Sequence, residues 1–169
     1  MMIRPVLFVR DATEKDIQAL TTIKETSALH HDRLQDAKRF AFRYLLLEQN
    51  ANLIGFACLV FTRPESWSDA HDTSHLPQIV DLQIAPQLRG KGFGSYLIRE
   101  LEQIVVQQRY QELFLAVDPI NNLRAHSLYR RLGYQQLQKK PYLKHWEFVD
   151  SDGILHRGDD WIVDMVKRF

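Results

Sequence analysis

Gly90, Gly92 and Gly94 stand at alternate positions in the stretch QLRGKGFGSYL, between an apolar run ending at Ala85-Pro86 and a segment with helical periodicity. Glycine matters there because a β-carbon would obstruct a ligand touching the backbone and would resist positive φ. A strand that delivers bare backbone to a helix start brings open N–H groups and the positive helix end together, a combination that binds phosphate. Two phosphate-binding patterns fail on residues. The dinucleotide fingerprint G-x-G-x-x-G needs glycine where the chain has Ser95. The nucleotide loop G-x-x-x-x-G-K-[ST] meets Ala85 at its first glycine, and Gly92 follows Lys91 where a hydroxyl is required.

The elements that must position this loop follow from periodicity. Pro5 to Arg10 reads as a first strand, and Asp11 to Glu25 as a helix opened by a capping box of Thr13 and Asp16. A weaker helical stretch runs from about His31 to Phe40. FRYLLLEQ and NLIGFACLVF then form an antiparallel hairpin turning between Gln49 and Asn52. Arg63 to Gln78, rich in Pro, Ser, Asp and His, is a long loop, and loops of that length are often functional.

IVDLQIA is a strand, FGSYLIRELEQIVVQQ a helix, and ELFLAV a strand apolar enough to be covered on both faces. Together they predict a crossover joining parallel strands. Phe93, Leu97, Leu101, Ile104, Val105 and Gln108 share one face of that helix, while Glu100, Glu102, Gln103 and Gln107 supply the wet side. NNLRAHSLYRRLGY is a short helix capped by Asn121 or Asn122 and closed by Gly133, with Ala125, Leu128, Tyr129 and Leu132 on an apolar face. YQQLQ and DWIVDMVKRF complete the sheet, separated by a long connection that holds the turn signal DSDG.

Gln87-Leu88-Arg89-Gly90-Lys91-Gly92 matches Q/R-x-x-G-x-G/A, the pyrophosphate-loop motif of the GNAT superfamily of acyl-CoA-dependent N-acyltransferases. Asn122 to Tyr134 resembles that family's N-x-x-A-x-x-L-Y-x-x-x-G-[FY] segment, in order and at the expected distance downstream. The resemblance implies one domain over residues 1–169 with a mixed α/β fold. Its sheet would be central and mostly antiparallel, carrying a parallel βαβ unit at a splayed strand pair and helices on both faces.

The resemblance also implies the donor, acetyl-CoA, and a site for it. Leu82, Gln83 and Ile84 would pair with the pantetheine arm. Arg89, Gly90, Lys91, Gly92, Phe93, Gly94 and Ser95 would surround the pyrophosphate, and Asn122 would meet the distal pantetheine or the thioester. An amine attacks the thioester directly, and Tyr129 resembles the tyrosine that protonates the departing sulfur. A lysine-like amine costs about 4.6 kcal/mol to deprotonate at pH 7. Asp81, on the strand beside the expected thioester, is the candidate base, with a purely structural carboxylate as its alternative.

Composition adds exclusions. The 22 basic and 21 acidic side chains leave +1, so no global field gathers nucleic acid or an anionic membrane. Cys58 is the one cysteine, which excludes an internal disulfide and points to a reducing compartment, and within LIGFACLVF it reads as an inert buried thiol. With no apolar leader and no run near the ~20 residues of a membrane span, the expected location is the cytoplasm. His71 and His75, near Asp69 and Asp72, lack a helical frame, so no metal is expected.

The acceptor is read from charge. Pro64 to Pro77 carries Glu65, Asp69 and Asp72 without Lys or Arg, and His145 to Asp160 carries five acids against Arg157. In a near-neutral chain this favours a small cationic amine, polyamine-like or aminoglycoside-like. Trp67 and Trp146 are candidate aromatic walls for it. A protein lysine or N-terminus is the alternative acceptor, and a non-catalytic acyl-CoA-binding module the alternative of another class. Homodimers are frequent in the family.

Overall fold

The computed structural model describes residues 6–62 and 75–169. An eight-stranded arrangement runs in the order β1 (Leu7–Asp11), β2 (Phe42–Gln49), β3 (Asn52–Val60), β4 (Gln78–Ile84), β5 (Glu112–Val117), β8 (Leu155–Arg168), β6 (Gln135–Gln136). β7 (Tyr142–Val149) pairs with β8 alone. All pairings are antiparallel except β4 with β5. The helices are α1 (Ile17–Thr21), α2 (Ser27–Arg39), α3 (Phe93–Gln107) and α4 (Leu123–Arg131). This is the mixed α/β architecture expected from the sequence.

Two apolar clusters divide the core. Leu97, Leu101 and Val105 of α3 and Tyr129 of α4 pack with Leu113, Leu115, Val163 and Met165. Leu20 of α1 and Leu34 of α2 pack with Tyr44, Leu46, Phe56 and Cys58. Cys58 is fully buried, and burial pushes its thiol up to about 12, which keeps it protonated.

Several local expectations change. The first helix is a 3-10 turn plus the five-residue α1, with the expected capping box in place: Thr13 is the N-cap of the turn, and the Asp16 carboxylate accepts from Thr13 N–H (2.7 Å) and Thr13 Oγ1 (2.9 Å). α2 starts at Ser27, four residues before the expected His31. The connection before the last strand is itself a strand, since β7 and β8 form a ribbon whose turn holds Asp150 to Gly153. Most of Arg63 to Gln78, with Trp67, His71, Asp69 and Asp72, lies outside the described residues.

Glu102 corrects the expected wet side of α3. It is buried, and Lys167 of β8 donates to both its carboxylate oxygens at 2.9 Å, which permits a charge on the core face. Gln108, expected on the apolar face, is exposed at the helix end. Because Lys167 keeps 23% of its side chain exposed, Lys167→Met should cost about 2 to 3 kcal/mol, measured by denaturant unfolding. The loss would come from leaving the Glu102 charge alone in the core.

Candidate active site

β4 and β5 are joined only at Gln78 with Phe114 and Ile79 with Leu115, after which the two parallel strands part. On its other side, β4 shifts register against β3 between Phe56 paired with Gln83 and Cys58 paired with Val80. The extra residue is a bulge, and Asp81 takes φ of 51° within it. The strand therefore turns from its neighbour and exposes Leu82, Gln83 and Ile84 to a cleft of about 400 Å³.

The glycine loop forms one end of this cleft. After a 3-10 turn at Pro86–Leu88, Arg89 donates Nε–H to the Ile84 carbonyl at 3.0 Å, tying the loop back to the strand. Gly90 and Gly92 follow at φ +80° and +89°, and Gly92 is the N-cap of α3. The first helical bond is Tyr96 N–H to the Gly92 carbonyl, 3.0 Å, and no described group accepts from the N–H groups of Gly92, Phe93, Gly94 or Ser95. A β-carbon at Gly92 would meet nothing within 4 Å, so the space beside these amides is open. Open amides at a helix start fit a phosphate.

α4 forms the opposite wall. Its capping differs from expectation, because Asp118 accepts from the N–H groups of Ile120 and Asn121 and from Asn121 Nδ2, each at 2.8 Å. Asn122 holds the N-cap position without a capping side-chain bond, and it lines the cleft. Gly133 follows the helix at φ +94°, as expected for its closing position. Tyr129 is buried against Tyr134, ring centroids 5.9 Å apart, and faces the same cleft with no hydrogen-bond partner for its hydroxyl among the described residues. Burial pushes its phenol up to about 12, with the negative charge of Asp81 adding to the effect.

The cleft brings together Leu82, Gln83, Ile84, Arg89, Gly90, Gly92, Phe93, Gly94, Ser95, Asn122 and Tyr129. Lys91 and Asp81 are outside its lining, Lys91 being exposed on the loop. Sequence reasoning missed Leu88, Arg124, Ala125, Leu128 and Arg131 as lining residues. Arg124, Leu128 and Arg131 recur at i, i+4 and i+7, so the periodicity that marked the apolar face of α4 could have found them.

Asp81 sits behind the strand in a buried ion cluster. Lys24 Nζ donates to its carboxylate at 2.7 Å, Arg33 of α2 pairs with the same oxygen, and Gln83 Nε2 donates to the other at 2.9 Å. Burial alone would raise this carboxyl, but Arg33 and Lys24 outweigh it and hold Asp81 at about 2. Next to it, His30 is fully buried, bonded to Tyr44 Oη at 2.6 Å and the Lys24 carbonyl at 2.8 Å, and burial lowers its pKa. Among the described residues no cluster of His, Cys, Asp and Glu could hold a metal, and no helix is long and apolar enough to cross a membrane.

Several solved structures of similar shape carry the name of an acetyltransferase. PaiA N-acetyltransferase from Thermoplasma acidophilum, in complex with coenzyme A, aligns at TM-score 0.69 and 15% identity over 97% of this chain and 99% of that one. Ribosomal-protein-alanine N-acetyltransferase from Brucella melitensis aligns at 0.66 and 22% over 96% and 99%. A GNAT family acetyltransferase from Elizabethkingia anophelis with acetyl-CoA bound aligns at 0.61 and 14% over 96% and 98%. No curated protein matches the chain in sequence. The family model for the acetyltransferase (GNAT) family matches residues 10–134, which include the splayed strand, the glycine loop and α4, and the chain belongs to that family.

Proposed function

We propose that the protein transfers the acetyl group of acetyl-CoA to a primary amine, with one chain supplying the whole site as a single domain. One observation carries this: open amides at the start of α3, the freed edge of β4 and the hydroxyl of Tyr129 meet in one cleft. The amides from Gly92 to Ser95, with Gly90, Arg89 and Lys91 nearby, would hold the pyrophosphate. Leu82, Gln83 and Ile84 would offer backbone groups to pantetheine, and Asn122 would reach its distal part. The neutral amine nitrogen then bonds to the thioester carbonyl carbon, the C–S bond breaks, and the nitrogen's surplus proton passes to water, while the departing thiolate takes a hydrogen bond from Tyr129 or a proton that the phenol regains from water.

Asp81 was the expected base. Two cations on its carboxylate favour a holding role instead, in which Arg33 and Lys24 fix the bulge that turns β4. A carboxyl held at about 2, below its ordinary 3.8, contributes stability that is present above about pH 4 and lost as pH falls through 2. Asp81→Asn should therefore cost about 2 kcal/mol at pH 7 and almost nothing near pH 2, measured by unfolding at both. Equal losses at both pH values would remove this role. A surviving acid limb in the variant's turnover profile would separately speak against a base at this position.

For the acceptor, a small cationic amine is favoured by the acidic ribbon of β7 and β8, whose turn is tied to α2 by Ser151 N–H donating to Asp32 at 3.2 Å. Asp159 and Asp160 bond to His145 and Trp146 there. The second reading is a protein N-terminal amine, favoured by the ribosomal-protein-alanine N-acetyltransferases from Brucella melitensis and Escherichia coli among the similar structures. A panel of polyamines, aminoglycosides, lysine peptides and N-terminal peptides, assayed by CoA-thiol release, separates them. Preference for neutral acceptors would remove the charge basis.

A further inference from the structure

Glycine weakens a strand interior, and one standing there marks a bulge or a second backbone lying close. Gly55 stands inside β3, where every other residue from Ile54 to Val60 is a buried core side chain. It pairs with Ile84, the last residue of β4, and the next pair, Phe56 with Gln83, borders the register shift at the bulge. Just beyond, Ala85 N–H donates to the Ile54 carbonyl at 2.9 Å and pins the end of β4 to β3.

A β-carbon on Gly55 would overlap the Gln83 carbonyl oxygen and stand 2.6 Å from Ile84 Cδ1 and 3.2 Å from Ile84 Cα. Two of these atoms are the backbone of β4, which cannot swing aside as a side-chain tip can. Gly55 has no positive φ, so closeness and not conformation requires the glycine. Past Ile84 lies Gly94 of α3, whose own β-carbon would be 3.9 Å from Ile84 Cγ1. Gln83 and Ile84 thus lie between Gly55 and the cleft they line, and the room left to β4 is the fork toward β5 that opens after Ile79 with Leu115.

We propose that Gly55 is a positioning residue for the donor: by admitting the β4 backbone to contact, it sets how far β4 stands from β5 and so the width open to the pantetheine arm. This rests on the cleft being the donor site. A methyl at position 55 pushes Gln83 and Ile84 into the fork. The amides from Gly92 to Ser95 stay in place, because α3 is anchored through Leu97, Leu101 and Val105 in the core, and Arg89 reaches Ile84 only by its flexible side chain.

Titration calorimetry with CoA and with adenosine 3′,5′-bisphosphate, the nucleotide end of CoA without its pantetheine, reads the two ends of the cleft apart. Gly55→Ala should weaken CoA about tenfold, the equivalent of one or two impaired backbone hydrogen bonds, and leave the nucleotide within about twofold. Leu20→Ala, a truncation in the other apolar cluster, should lower the melting temperature and change neither affinity, so loss of stability alone does not produce the split. Should Gly55→Ala not fold, Gly55→Ala/Ile84→Val, read against Ile84→Val, carries the same expectation. A loss shared by both ligands, or a folded Gly55→Ala that binds CoA like wild type, would overturn the role of Gly55 while leaving the donor site standing. Wild-type protein that binds no CoA would overturn the donor site and this role with it.

Discussion

Gly92→Val should leave the protein folded and cut its affinity for CoA by about a hundredfold or more. At φ +89° a β-branched side chain is strained by about 1 to 2 kcal/mol. The added carbon meets no protein atom within 4 Å, so the steric damage falls on whatever approaches the open amides. Gly153 provides the matched control: φ is +78°, its surroundings are equally open, and it lies in the β7–β8 turn. Gly153→Val should show a comparable fall in melting temperature with CoA affinity unchanged. If both variants bind CoA normally, the loop is not a phosphate cradle.

Tyr129→Phe should lower turnover by about a hundredfold or more while CoA affinity stays within about twofold. The hydroxyl has no hydrogen-bond partner among the described residues, so removing it deprives no described group of a bond and costs little stability. With the phenol held near 12 by burial and by the charge of Asp81, it remains a donor across the working pH range. Full proton transfer to a thiolate of reference pKa 8.5 would be uphill by about 5 kcal/mol. A sulfur leaving in the same enclosed cleft is raised by the same loss of water, which narrows that gap. Turnover should consequently show no basic limb from Tyr129 below about pH 11, and a limb near pH 9 that vanishes in the phenylalanine variant would contradict this environment.

What could be read beforehand was local. The glycine loop, α3 and the C-terminal glycine of α4 announce themselves within a dozen residues, because turn chemistry and helix starts depend on near neighbours. The splay was implied by resemblance, and its physical form, a bulge at Asp81, has no signature in QIVDLQI. The partners of Asp81 come from Lys24, 57 residues away, and from α2, so its ion cluster is a product of tertiary structure. Glu102 was misread for the same reason, its lysine lying 65 residues on.

β7 was missed because a two-stranded ribbon with exposed residues on both faces shows no apolar alternation, as YLKHWEFV illustrates. Asn122 does hold the N-cap position of α4, but without a capping side-chain bond, while Asp118, just after β5, accepts from the amides of Ile120 and Asn121 in the turn before the helix. The Asn122 side chain, bonded to no helix amide, lines the cleft.

The central claim is acetyl transfer from acetyl-CoA to an amine in the cleft between β4, the glycine loop and α4. Mass spectrometry of acceptor amines incubated with acetyl-CoA and wild-type protein measures it directly. A polyamine, aminoglycoside or peptide amine should gain one acetyl group as CoA thiol is released in equal amount, and Tyr129→Phe should slow both together. Tight binding of acetyl-CoA with no acetylated amine anywhere in the panel would contradict the account and leave a donor-binding module in its place.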